Sequence, residues 1–198
     1  MIPVTLQPEP ADFDVKVRQK GLAWLANEGI APNSPPPRAS KLPNYWSASN
    51  KQLWDAYKGE CAYLAIYFEW STGASSTDHF VAKSKKSGDA YEWDNYRLSC
   101  LGANRNKNKF DDVLDPIGLA QNTFVLNLAT GNVKPNPALG ATEKTAAKKT
   151  ISRLKLNSAE NKQMRARHYS EYLKHRHPNI LKKYSPFVWY EADRQGVL

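Results

Sequence analysis

The residues whose types suit chemistry begin with Asp78 and His79, adjacent in sequence, followed by Asn95 sixteen positions after His79 and Asn104 nine positions further on. An imidazole with its ordinary pKa of about 6.5 can take up a proton near neutral pH, which makes His79 a candidate general base. The Asp78 carboxylate and the Asn104 amide oxygen are hard donors of the kind magnesium and manganese prefer. Lys83 and Lys107 lie close by in the chain and could meet a phosphate. Taken singly, each has an ordinary reading: a His beside an Asp is usually structural or at the surface, and an Asn usually shapes a turn. Their joint spacing sets them apart.

The elements expected to position them follow from the surrounding pattern. Thr77 to Val81 reads as a short strand, a basic turn-rich loop follows, Tyr96 to Ser99 reads as a second strand, and Leu101 to Phe110 as a helix. On that helix Asn104, Lys107 and Asn108 fall at i, i+3 and i+4 and share a face. In a regular strand Asp78 and His79 point to opposite faces, so a local distortion of the strand is expected if both serve one ion.

Three blocks agree in order and spacing: Thr77-Asp78-His79-Phe80-Val81-Ala82-Lys83-Ser84, Tyr91-Glu92-Trp93-Asp94-Asn95-Tyr96-Arg97-Leu98-Ser99-Cys100 and Asn104-Arg105-Asn106-Lys107. Together they resemble the HNH endonuclease motif over the stretch from Cys61 to Lys109. The resemblance implies an α+β fold with a small ββα-metal core, wrapped here by N-terminal and C-terminal helices. It implies hydrolysis of phosphodiester bonds in nucleic acid, with double-stranded DNA the expected substrate. His79 would be the general base, Asp78 and Asn104 would hold one magnesium, manganese or other divalent ion, and Asn95 would complete the catalytic group by orienting the loop and the His79 ring. Many members of the family also bind a structural zinc through two Cys-x-x-Cys knuckles. Here Cys61-Ala62-Tyr63-Leu64 and Cys100-Leu101-Gly102-Ala103 each keep only the first cysteine, too few thiolates for a structural site, so apolar packing is expected in place of zinc.

Charge points to the same class of partner. Of a formal net charge of +9, the whole surplus lies between Ala141 and Tyr184, where twelve Lys or Arg face three acids. A concentrated basic field attracts polyanions, and Lys148, Lys149, Arg153, Arg165 and Arg167 are candidate phosphate contacts. The bland alternative is a solvated basic face. His168, His175 and His177 lie in the same segment, where His175-x-His177 could bind metal but more often faces solvent or caps carbonyls.

The aromatic fraction of 11%, with six Trp and ten Tyr, supplies side chains to bury, and Trp46, Trp54, Tyr57, Tyr63 and Tyr67 are expected in the core. One unit is expected, divided as a helical and proline-rich extension over 1–60, the catalytic core over 61–112, and a hairpin with basic helices over 113–198. Helices are expected over Phe13 to Asn27, Asn50 to Tyr57, Thr142 to Leu154, Ser158 to His175 and Val188 to Arg194. A hairpin is expected around Thr130-Gly131-Asn132, a strand or knuckle-like turn over Cys61 to Glu69, and an extended connector from Ala31 to Pro37. The longest apolar run is eight residues, Cys61 to Phe68, and Met1-Ile2-Pro3-Val4 carries no basic region followed by an apolar stretch, which together predict neither signal peptide nor membrane span, and the cysteine content fits a cytoplasmic protein with two unlinked thiols. A non-catalytic nucleic-acid-binding module that keeps the HNH shape is the competing reading.

Overall fold

The computed structural model describes residues 1–38 and 41–198. Its centre is an antiparallel pair, β1 (Ser75–His79) and β2 (Tyr96–Cys100), followed without a loop by helix α3 (Leu101–Lys107). Cys100 keeps extended backbone while serving as the N-cap of α3, so the strand runs straight into the helix. The Leu101 amide donates to Ala74 O (2.9 Å), which ties that junction to the start of β1. Asp78 faces Arg97 and His79 faces Tyr96 in the register.

This unit lies between two hydrophobic clusters. On the N-terminal side, Phe13, Val17, Leu25 and Leu53 pack with Tyr91, Trp93, Tyr96 and Leu98 of the β2 region. Here a π-turn (Asp14–Arg18) leads into α1 (Gln19–Asn27), and α2 (Asn50–Ala56) follows the connector. Gly21 is required by a close approach, since a β-carbon there would stand 2.1 Å from Cγ of Tyr91. The connector is anchored rather than free: Gly88 N donates to Pro32 O (2.9 Å) and Ser87 N to Ser34 O (3.0 Å).

On the C-terminal side, Tyr63 and Ala103 join Phe124, Leu126, Leu154, Leu156, Phe187 and Val188. The elements are the hairpin β3 (Phe124–Asn127) and β4 (Asn132–Pro135), then α4 (Ala141–Arg153), α5 (Ala159–His175), α6 (Pro178–Tyr184) and α7 (Pro186–Arg194). Gly131 turns the hairpin at φ +67 directly against α5, where a β-carbon would stand 2.0 Å from Lys162 O. Ser158 caps α5 by accepting from Asn161 N, as its sequence predicts. The fold is thus α+β, with two small antiparallel sheets and seven α-helices among the described residues. Among these residues no helix is long and apolar enough to cross a membrane.

Several boundaries differ from expectation for local reasons. The first strand stops at His79 and not at Val81, because the amides of Phe80 and Val81 turn to Asn95, the first to its backbone carbonyl (2.9 Å) and the second to its side-chain oxygen (2.7 Å). Helix α3 ends at Lys107 because Asn108 takes φ +47, ψ −130, a conformation that residues with a β-carbon rarely adopt. Of the two forms expected for Cys61 to Glu69, the turn is the one found: Ala65 N donates to Cys61 O, Cys61 N to Ile66 O, and one bridge joins Glu60 to Tyr67. Helix α6 was not expected; Pro178 at its first helical position starts it.

Candidate active site between strand β1 and helix α3

The end of β1, the loop after it and the outer face of α3 enclose an open cleft of about 740 Å³. Asp78, His79, Asn104 and Asn108 line it together. The expected strand distortion is absent: the pairing is regular from Ser75 through His79, and both residues line the cleft.

His79 sits against one wall. Trp46 meets it edge-on with ring centroids 4.8 Å apart, Tyr96 does so at 5.2 Å, and Nε2 lies 3.1 Å from Ala90 O. A carbonyl oxygen can only accept, so Nε2 carries the proton and Nδ1 is left with the lone pair. Burial pulls the imidazole pKa down to about 3, helped by the Lys83 charge, while the bond to Ala90 works in the opposite direction. The ordinary value expected for this residue is therefore corrected: His79 is a neutral imidazole with a fixed tautomer across the physiological range. Nor is it a purely exposed side chain, since two aromatic rings pack on it.

Asn95 holds the loop that carries Ala90. Its Nδ2 donates to Val81 O (3.1 Å) and Asp89 O (2.8 Å), and its Oδ1 accepts from Val81 N. It is buried and does not line the cleft, so it acts as a positioning residue, through the carbonyl next to the one that fixes His79.

Asp78 occupies the other wall and is almost wholly buried. Its Oδ2 accepts from the Tyr63 hydroxyl and lies 3.3 Å from the Lys107 ammonium, whereas Oδ1 has no hydrogen-bond partner among the described residues. Burial pushes the Asp78 pKa up, with Lys107 and Tyr63 opposing it. Asn104 donates from Nδ2 to Ser76 Oγ (2.6 Å), which leaves its amide oxygen as an acceptor beside the cleft. Among the described residues no three His, Cys, Asp or Glu side chains gather as a ligand cluster. One carboxylate with neutral amide oxygens nonetheless suits magnesium, which keeps several of its waters and completes its shell with substrate phosphate.

Lys107 is not a phosphate contact. It is fully buried, and its Nζ donates to His79 O (2.6 Å) and Phe80 O (2.7 Å) as well as facing Asp78, so it fastens the end of β1 to α3. Lys83 does line the cleft, with Nζ 4.4 Å from the Trp46 ring centroid. Trp46 itself belongs to the cleft wall and not solely to the core. Arg105 and Lys109 are exposed cleft cations that sequence reasoning passed over. Their signal lay in the motif, one residue after Asn104 and one after Asn108. Lys85 and Lys86 are paired with Asp111 and Asp89.

The C-terminal cations divide. Lys148, Lys149 and Arg167 are exposed, and Arg153 pairs with Asp112 (3.2 Å) and lies 3.9 Å from the Phe110 centroid. Arg165 is buried and donates to Leu156 O and Gly131 O, which removes it from the residues able to reach a phosphate.

At the corner where a knuckle zinc would sit, Cys61 and Cys100 are free thiols in contact, with Cys100 N donating to Cys61 Sγ (3.5 Å). Ala103 and Leu64 pack into the C-terminal core beside them.

No protein-family model matches the chain, and no curated protein matches it.

Proposed function

We propose that the chain is a metal-dependent endonuclease of the HNH type that hydrolyses DNA phosphodiester bonds in this cleft. The observation that carries the reading is the convergence, on one ββα unit, of an imidazole with a fixed tautomer, a carboxylate with a free oxygen and an amide oxygen. Asp78 Oδ1 and the Asn104 oxygen would hold magnesium or manganese, which supplies charge stabilisation at the phosphate and lowers the pKa of a bound water. His79 Nδ1 takes the proton from the attacking water, and Ala90 O keeps the ring in the tautomer that allows it. Lys83, Arg105 and Lys109 line the cleft as cations for the phosphates on either side of the scissile one. Strain at Asn108, a cleft residue with positive φ, supports the same location.

Two observations favour the competing reading, a module that only binds nucleic acid: the Asp78 oxygen nearer α3 is already engaged by Tyr63 and Lys107, and burial holds the His79 pKa down to about 3, far below the range in which an imidazole is an efficient base. Nicking of supercoiled plasmid across a magnesium series separates the two. Cleavage that requires the metal is expected, with Asp78→Asn and Asn104→Ala shifting the half-maximal magnesium concentration upward. Unchanged metal curves in both variants would remove the ligand assignment, and no cleavage at any magnesium or manganese concentration would leave the binding module.

A further inference from the structure

Cys61 and Cys100 take no part in the reading above, yet the fold brings them together from 39 residues apart. Cys61 opens the turn before β1, where its amide donates to Ile66 O and its carbonyl accepts from Ala65 N, and the next amide, that of Ala62, donates to Leu98 O of β2 (all 2.8 Å). Cys100 ends β2 and caps α3, and the Leu101 amide on Ala74 O holds that junction. Both backbones are therefore anchored beside the pair. The Cys61 sulfur lies 3.5 Å from the Cys100 backbone nitrogen, whose proton it accepts, and 3.9 Å from Ser99 Oγ. The Cys100 sulfur hangs from the residue that carries this nitrogen, so rotation about its Cα–Cβ bond is the movement that brings the two sulfurs into bonding reach. Both thiols are free, and Leu64 and Ala103 beside them offer no donor atom that would complete a metal site. Burial pushes the Cys61 thiol up, but the Cys100 thiol and the amides of Cys100, Leu64 and Tyr63 outweigh it and hold Cys61 below its usual range, which favours a thiolate there.

We propose that Cys61 and Cys100 form a redox site that a small hydroperoxide converts to a reversible intramolecular disulfide, closing the loop that contains Asp78, His79 and Asn95. Cys100 is the half-buried member and meets the oxidant, while Cys61, 1% exposed, stands behind it. The Cys61 thiolate takes the Cys100 proton as the Cys100 sulfur attacks a peroxide oxygen; the O–O bond breaks, hydroxide leaves and Cys100 becomes a sulfenic acid. The Cys61 thiol then gives its proton to that hydroxide, forming water, and its sulfur attacks the sulfenic sulfur. The S–S bond forms, the S–O bond breaks and a second hydroxide leaves. The two sulfurs together lose two electrons, which the two peroxide oxygens gain. The new bond ties the turn at Cys61 to the N-cap of α3, the helix that carries Asn104, and it restricts the unfolded chain across a long loop.

The test treats the full reduced chain with hydrogen peroxide, removes the excess with catalase, and reads intact mass, thiol content after unfolding and melting temperature. The mass is expected to fall by two hydrogen atoms in a protein that stays monomeric, and the thiol content to fall from two to none, with dithiothreitol restoring both. The melting temperature is expected to rise by at least about 5 °C on oxidation, as closure of a loop of this length predicts. Cys100→Ser leaves Cys61 without a partner, so peroxide is expected to produce neither the loss of hydrogen nor the rise in melting temperature. Two thiols remaining in the treated wild-type protein would overturn the proposal. So would a gain of oxygen in place of the loss of hydrogen, a disulfide between two chains, or a peroxide-dependent rise in melting temperature that persists in Cys100→Ser.

Discussion

Lys107, at the end of α3, and Arg165, in the middle of α5, are both buried cations that donate to backbone carbonyls, yet their surroundings differ. Lys107 has a carboxylate 3.3 Å away, Asp78, on the wall of a cleft. Among the described residues Arg165 donates to Leu156 O and Gly131 O and has no carboxylate partner, and it lies within the C-terminal core, where burial pulls its pKa down to about 10. In one region the buried charge is tied to the proposed chemistry; in the other it joins a hairpin turn to the break between α4 and α5. Position relative to a cleft, and not charge or chain neighbourhood, decides which basic residues can reach a phosphate. Lys83, Arg105 and Lys109 pass that criterion, whereas Lys107 and Arg165 do not.

The comparison can be broken at its strongest point first. Lys107→Met removes one partner of a buried ion pair and strands Asp78, so thermal or urea unfolding should report a loss of about 3–5 kcal/mol. A loss below about 1 kcal/mol would show that the pair is solvated and that Lys107 is available to substrate after all. Arg165→Met should cost less, about 2–3 kcal/mol, because it frees carbonyls and no carboxylate. Nucleic-acid affinity of the folded Arg165→Met protein should stay within twofold of wild type, and a large drop would return Arg165 to the binding surface.

The next contrast concerns the exposed cations. Neutralising Lys83, Arg105 and Lys109 together should weaken DNA binding and flatten its salt dependence by about one unit of slope for each phosphate that is no longer engaged. The triple neutralisation of Lys148, Lys149 and Arg167, which lie outside the cleft, should have a smaller effect, equal across unrelated DNA sequences, because exposed charges are screened within about 8 Å. An unchanged slope would assign the basic helices to solubility. A larger change there than in the cleft would reverse the comparison.

Much of this arrangement was legible in the chain, and the failures share a physical cause. The motif spacing located the strand, strand and helix that hold Asp78, His79 and Asn104. The cap at Ser158 and the turn at Gly131 marked α5 and the hairpin. What stayed hidden was the direction in which long side chains run. Periodicity puts Lys107 on the same face as Asn104, but it does not disclose that two carbonyls at the end of β1 lie within reach of its ammonium and draw it inward. Arg165 is hidden in the same way, by carbonyls 34 and 9 residues distant in sequence. The basicity of His79 was equally out of reach, since Trp46 and Tyr96 come from remote segments to bury it. Helix α6 shows a local ambiguity: α5 ends at His175 with Arg176 in the left-handed region, and Pro178 starts the next helix two residues on.

The central claim, that a neutral His79 is the base of a phosphodiester hydrolase, is tested most directly by His79→Gln, a substitution that keeps a polar side chain of similar size between Trp46 and Tyr96. Plasmid nicking rate, DNA affinity and melting temperature are measured on the same preparation. The account predicts a loss of nicking of at least about a hundredfold, as expected for a general base, with affinity within about threefold of wild type and a melting curve that remains cooperative. Nicking that persists at the wild-type rate in the folded, DNA-binding variant would contradict it.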